Sequence, residues 1–329
     1  MTRLLSRVDG WDLLLVVLLT ATVTLGALLT PNFLSAFNLS QAASGAAEKG
    51  LLVLPMVLLI IAREIDLSVA SVLALASVIL GVLVQGGVPL PFAIPIVIVA
   101  GGALGALNGA LVTAIGLPSL VVTLGTMALF RGLGYILLGA ASINAFPDAL
   151  TNFGVDDVPG TRIPLVIVPF LVLAPVFAIA LQLTPVGKRI YAIGGNPSAA
   201  LYSGIAVARV KFSLFVVSGM VSAIAGVVYT ARLSNARANN ALGMELDVIT
   251  IALLGGVSVW GGKGKLTGVM LALLLIATIR NLLGLNQVGG DAQGTVIGLL
   301  LIVSLLIGNA AEFLAFALKS SEAKAKMGG

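Results

Sequence analysis

Trp11-Asp-Leu-Leu-Leu-Val-Val-Leu-Leu-Thr-Ala-Thr-Val-Thr-Leu-Gly-Ala-Leu-Leu-Thr30 carries one charged side chain and no proline. A helix of about 20 residues rises roughly 30 Å, the thickness of a bilayer's hydrocarbon core. Arg3 and Arg7 ahead of it imitate the basic flank of a secretory signal. The apolar run exceeds the roughly 7–15 residues of a signal's hydrophobic region and no A-x-A-like site follows, so it reads as an uncleaved first span. The same ruler finds spans near 41–62, 67–86, 90–115, 119–139, 163–183, 211–231, 246–262, 266–285 and 293–316. The expected fold is an all-α integral membrane protein of about ten transmembrane helices. Segments 41–62, which contains Glu48 and Lys49, and 246–262, short and glycine-rich, fit least well.

Composition agrees. Of 329 residues, 59% are hydrophobic and 9% charged, with a mean hydropathy of +1.15, where soluble domains carry about a quarter charged. Cysteine and histidine are both absent, which removes disulfides, thiol nucleophiles, Cys/His zinc sites and imidazole bases. A net charge of +5 and a pI near 9.7 would suit nucleic acid, but the charges sit in short loops, which indicates a membrane surface and no nucleic-acid partner. With the N-terminus inside, Arg3, Arg7, Arg63, Lys188, Arg189, Arg209, Lys211, Lys263, Lys265, Lys319, Lys324 and Lys326 share one side, against Arg162, Arg232 and Arg237 on the other. The positive-inside rule then makes both termini cytoplasmic.

Gly101, Gly105 and Gly109 line one helix face, where backbones can approach closely, although transmembrane helices are glycine-rich in any case. Glu64-Ile-Asp66-Leu67 and Glu245-Leu-Asp247-Val248 each precede an apolar, small-residue segment, on opposite expected sides. An inverted repeat would leave such a trace, and so would coincidence over four positions.

The loop over about 184–210 contains Pro185-Val-Gly-Lys-Arg-Ile-Tyr-Ala-Ile-Gly-Gly-Asn-Pro-Ser-Ala-Ala-Leu-Tyr-Ser-Gly-Ile205. Asn196-Pro197 has the form of an N-cap followed by proline at the first helical position, and Gly204 that of a left-handed stop. A helix over Pro197 to Ser203 is too short to stand alone, since isolated helices need roughly 12–15 residues. Ala199, Ala200 and Ser203 suit a knob pressed into another protein's groove; an amphipathic turn on lipid headgroups beside Lys188 and Arg189 is the other reading.

This loop resembles the coupling-helix segment of the ribose-type family of ABC importer permeases, with Gly194, Asn196, Ala199, Ala200, Ser203, Gly204 and Ile205 matching its pattern in order. Ile65-Asp66-Leu67-Ser68-Val69 and the block from Leu253-Leu-Gly-Gly256 through Gly261-Gly262-Lys-Gly264 to Gly268 resemble the same family, and the likeness runs from about Asn38 to Leu306. Most members carry Gly-Gly where this chain has Arg63-Glu64. That form, with Val207-Ala-Arg-Val-Lys-Phe212, Leu124-Gly-Thr-Met127 and Phe130-Arg-Gly132, looks most like the rhamnose-type branch, with the autoinducer-2 and ribose branches as near competitors.

The resemblance implies one transmembrane permease domain over 1–329 in a bacterial cytoplasmic membrane. It also implies a second permease, identical or different, a periplasmic sugar-binding protein and a cytoplasmic ATPase that holds ATP and Mg. This chain should bind no cofactor: around Gly262-Lys263 the P-loop pattern lacks its upstream glycine and its following Ser/Thr, leaving a tight cytoplasmic turn. Candidate pathway residues are Glu64, Asp66, Ser68, Asn108, Thr123, Thr126 and Asn281; helix N-capping by Asp66 and ordinary interhelical hydrogen bonds explain them equally well. Within spans, Glu48 and Lys49 are expected to neutralise each other, and Arg131 and Arg280 to snorkel or to touch substrate. A secondary transporter would need a coupling acid, for which only Glu48 offers itself, and an intramembrane enzyme a Ser/Lys or paired-carboxylate constellation. Neither predicts the capped loop. A reporter fused after Gly329 should be active in the cytoplasm; activity of a periplasm-only reporter there would sink the ten-span topology.

Overall fold

A computed structural model describes residues 10–290, 292–300 and 302–303. Its long helices are α1 (Gly10–Leu29), α2 (Ala36–Ile61), α3 (Val69–Gln85), α4 (Leu90–Thr113) and α5 (Ser119–Leu138). A short helix α6 (Asp148–Val155) and a 3₁₀ turn (Leu165–Ile167) lead into α7 (Val168–Leu183). Then come α8 (Pro185–Gly195), α9 (Pro197–Tyr202), α10 (Val207–Leu233), α11 (Met244–Leu254) and α12 (Leu266–Leu285). Residues 292–300 are helical; the rest of the expected 293–316 span lies largely outside the described residues.

Seven helices among the described residues are long and apolar enough to cross a membrane. They coincide with seven of the expected spans, and the differences have physical causes. Helix α3 has 17 residues, about 26 Å, and nearly all of its first ten are buried, so it is a core helix sheathed by protein. The expected 246–262 span is a helix of 11 residues, about 16 Å, or half a crossing. It ends at Gly255, and Gly256, Gly261, Gly262 and Gly264 then adopt positive φ, turning the chain back toward α12. The turn is largely exposed, with Trp260 84% exposed, and protein partners take part of its backbone. Here Gly262 N donates to Ile61 O (2.8 Å) and Ser258 N to Lys263 O (3.0 Å). Trp11 Nε1 donates to Leu254 O (2.8 Å), satisfying a carbonyl at the broken end.

Helices α2 and α10 form the centre. The spanning window of α2 is 83% buried and that of α10 61%, against 11% for α1 and 17% for the 165–183 segment; the exposed side chains of the outer helices, such as Leu28, Val99, Ile136 and Val172, are apolar and suit lipid. The glycine stripe of α4 packs on α10: a Cβ on Gly105 would overlap the Phe215 carbonyl oxygen, and Gly101 and Gly219 meet backbone to backbone. Small residues thus let two helices touch where lipid offers no hydrophobic drive for association.

Gly105→Val should force these helices apart, at a cost toward the upper end of the roughly 1–3 kcal/mol typical of overpacking. Gly125→Ala, whose Cβ would meet nothing within 4 Å, should be neutral. Fluorescence-detected size exclusion after heating distinguishes them: a clear loss of melting temperature for the first and none for the second.

Candidate functional site

The loop after α7 folds as its caps require. Thr184 Oγ1 accepts from Val186 N (3.2 Å) at the start of α8, and Asn196 Oδ1 accepts from Ala199 N (3.0 Å) at the start of α9. At the far end Gly204 has φ +81°, Gly204 N donates to Leu201 O and Ile205 N to Ala200 O. This is the Schellman arrangement, which satisfies two carbonyls that a short helix otherwise leaves open. The helix ends one residue earlier than expected, with Ser203 at its C-cap. Of the three small residues expected on its outer face, Ala199 and Ser203 are exposed but Ala200 is buried. Successive helical residues point about 100° apart, so Ala200 anchors the helix while Leu201 (60% exposed) and Tyr202 (91%) project outward.

Two consecutive residues at the end of α2 grip both flanks of this helix. Arg63 Nε and a terminal guanidinium nitrogen donate to Gly194 O (2.7 Å) and Gly195 O (2.9 Å), the last carbonyls of α8. A cation there also complements the helix dipole. Glu64 pairs with Lys211 in the first turns of α10. Arg63 has φ +65°, an uncommon conformation for a side-chain-bearing residue; glycine adopts it freely. Gly194 is pressed against Ile61 O and Gly262 N, where no Cβ would fit. Tyr191 Oη donates to Gly264 O (2.6 Å), and burial pushes its hydroxyl up, so it remains a donor at neutral pH. The ends of α2, α8 and α10 and the 255–265 turn are therefore one hydrogen-bonded junction.

Six of the seven candidate pathway residues gather at the adjoining 62–68 linker. Asp66 Oδ1 accepts from Ser68 N (3.0 Å) and Ser68 Oγ (2.6 Å), and its Oδ2 accepts from Ser218 Oγ (2.8 Å) on α10. Asn108 of α4 donates to Ser68 Oγ (2.8 Å), Thr123 of α5 to Ile65 O (3.2 Å), and Thr126 to Thr123 O (3.4 Å). All are buried, as is Glu64. The helix begins at Val69 with Ser68 at the N-cap position and no side-chain cap bond, so Asp66 ties the linker to α10 and does not cap in the expected place. Asn281 lies apart on α12, in a reciprocal amide pair with Asn38 of α2 (both contacts 2.8 Å).

The ionisable residues inside spans pair differently from expectation. Adjacent helical residues face different neighbours: Glu48 Oε1 meets Arg232 Nε (2.6 Å), and Lys49 Nζ meets Asp247 Oδ2 (2.7 Å). Arg280 reaches both Asp247 oxygens (2.7 and 2.8 Å), and Arg131 donates to Ala238 O (2.8 Å) and Asn240 O (2.6 Å). Both arginines thus bond to protein groups. The sequence signal for these pairs was the second acidic motif, whose Asp247 is an acid at membrane depth in need of a cation.

A bundle of lipid-facing helices around a charged, protein-sheathed pair, with a capped helix standing on its end, is the architecture of a multi-pass membrane permease. Residues 38–305 match the family described as branched-chain amino acid transport system / permease component. Over 300 residues, 89% of this chain and 90% of each relative, the chain is 34% identical to proteins named "Autoinducer 2 import system permease protein LsrD" from Escherichia coli (strain K12), Shigella flexneri and Escherichia coli O157:H7. No solved structure matches. The chain belongs to this family of ABC importer permeases, of the ribose-type sugar class, and it is a transport subunit with no enzymatic activity of its own. Membership implies an ATPase and a substrate-binding protein as partners in general.

Asp66→Ala should strand the Ser68 and Ser218 hydroxyls and lower stability by about 2–4 kcal/mol, each orphaned buried group costing about 1–3 kcal/mol less any relaxation. Asp66→Asn keeps an acceptor for Ser68 and turns the Ser218 contact round, and should cost less than half as much. Melting of the purified variants in detergent orders wild type, Asn and Ala if the carboxylate ties the linker.

Proposed function

We propose that this chain is the permease of an ATP-driven importer in the bacterial cytoplasmic membrane, both termini cytoplasmic, that admits a small hydroxylated molecule. Autoinducer 2, the compound in its relatives' names, comes first and ribose second. The branch likeness pointed to rhamnose, which the relatives' names do not favour. The observation that carries the reading is α9: a helix of six residues, too short to persist alone, capped at both ends and fastened on both flanks to the most buried helix. Its exposed Ala199, Leu201, Tyr202 and Ser203 form the knob for a cytoplasmic ATPase, which holds the ATP and Mg. A periplasmic binding protein delivers substrate, and a second permease, identical or different, completes the pathway. An ion-coupled transporter is disfavoured because its candidate acid, Glu48, is already neutralised by Arg232.

Arg63 and Glu64 transmit the ATPase stroke to α2 in this reading. Arg63→Gly suits the backbone angle but releases α8, and should leave insertion intact while lowering uptake per ATP hydrolysed by about tenfold. Glu64→Lys should do the same, and combining it with Lys211→Glu should restore at least half of the coupling. Gly204→Val, strained at the left-handed position, should abolish ATPase association. The measurement is uptake and ATP hydrolysis in proteoliposomes containing the chain with the ATPase, binding protein and any second permease that co-purify with it. Coupling at wild-type level in all three single variants would overturn the assignment of α9.

A further inference from the structure

The cavity between α2 and α12, lined also by Ile251 of α11, borders the Lys49–Asp247–Arg280 cluster and lies apart from the Arg63 and Asp66 networks. Its volume is ≈ 190 Å³. This is below the roughly 300–1,000 Å³ of drug-sized pockets, so it suits one small molecule. Ala42, Ala46, Leu273 and Ile276 give it apolar walls.

Its polar lining is rich in donors. Gln41, Lys49, Arg280 and Asn281 all border it. Lys49 bonds to one Asp247 oxygen, which leaves two of its three N–H groups over. Arg280 binds Asp247 through one terminal nitrogen, while its buried Nε has no partner. Asn281 uses one N–H and its oxygen on Asn38 and keeps one N–H. Two cations face one carboxylate, an imbalance that is costly away from water, and a buried unpaired donor costs about 1–3 kcal/mol. Acceptor oxygens supplied from outside the chain relieve both.

We infer that this cavity is a ligand subsite of the permease, taking a small hydroxylated molecule whose oxygen atoms accept hydrogen bonds from Lys49, Arg280 and Asn281. The inference rests on the importer reading for the ligand's passage, but not for its binding. Asp247 draws the two cations together and offsets part of their mutual repulsion. The subsite lies about 18 Å along α2 from the Arg63 junction, at 1.5 Å per residue from Lys49 to Ile61, so ligand and ATPase act on opposite halves of one helix.

The absence of native cysteine gives a direct test. A Cβ at Gly45, which lines the cavity, would meet nothing within 4 Å, so Gly45→Cys places a single thiol there without distortion. In membrane vesicles holding the chain without its ATPase, this thiol should react about tenfold faster with an anionic methanethiosulfonate reagent than with its trimethylammonium analogue, each rate normalised to a free thiol. Adding Arg280→Gln should bring the ratio toward one, and Arg280→Lys should retain it. Ribose and ribonate at tens of millimolar should slow the labelling severalfold, while sucrose, too large for the space, should not. Protection by both shows that hydroxyl oxygens suffice; protection by ribonate alone assigns the acceptor to a carboxylate. A thiol that does not react, a ratio unmoved by Arg280→Gln, or protection by neither probe or equally by sucrose overturns the subsite. None of these outcomes depends on ATP coupling, so failure here leaves the α9 result standing, and the reverse.

Discussion

Seven residues of non-helical backbone, Ala62 to Ser68, interrupt the most buried part of the molecule, and peptide groups at that depth must find partners inside the protein. Helix α5, the glycine-rich turn and the chain's own adjoining residues supply them. Ser119 Oγ accepts from Ile65 N (3.3 Å) and Thr123 donates to Ile65 O; Asp66 accepts from Ser68 N; Glu64 N returns to Leu59 O (2.9 Å). The carbonyl of Ile61, at the end of α2, takes its bond from Gly262. Meeting this one requirement brings α5 and the glycine-rich turn to the linker, and the Asp66 and Glu64 side chains add α10. The capped α8–α9 segment is then seated on the same spot through Arg63 and Gly194.

The charges obey a second constraint that explains the arrangement of the centre. Helix α2 has 26 residues and α10 has 27, and each precedes one acidic motif. Glu64 and Asp66, which follow α2, bond to Lys211 and Ser218 of α10; Asp247, which follows α10, bonds to Lys49 of α2. Each long helix is thereby fastened to the segment that follows the other. The tetrads differ in local form, since Glu64 to Leu67 is a linker and Glu245 to Val248 lies within α11. The reciprocity is at the level of elements, and it is the relation that an inverted duplication of helix-plus-acid would produce.

Much of this was legible in the sequence, for reasons that differ by element. Apolar runs of bilayer length give spans directly, because lipid imposes the length. Capping is a local property of the chain, so Asn196, Pro197 and Gly204 bounded α9 to within one residue. The half-length α11 escaped because apolar residues continue through Val257, Val259 and Trp260; only the run of left-handed glycines shows that the chain turns there. Pairing of charges was misread for a geometric reason. Neighbours in sequence such as Glu48 and Lys49 diverge on a helix, and which helix each meets is decided by tertiary packing. Six of the seven candidate pathway residues gather at one buried linker and Asn281 does not, and hydrogen-bond donors and acceptors in a list say nothing about whether they satisfy one another. Around Asp66 they do except for Asn108 Oδ1, whereas around Arg280 the buried Nε and its neighbours leave several donors over.

That contrast divides α2 into two functional halves. Toward Ile61 its neighbours are a closed network whose polar groups are mostly satisfied, suited to carrying force without yielding. Toward Ala36 it borders a cavity with donors to spare, suited to exchanging partners. Pro55, buried between the halves, removes the N–H that would bond the Leu51 carbonyl and crowds that carbonyl, so the hydrogen-bond ladder of α2 is weakest between Lys49 and Arg63. The Glu48–Arg232 and Lys49–Asp247 contacts stand on the Ala36 side of Pro55, so the same stretch of α2 that borders the cavity is fastened to both α10 and α11.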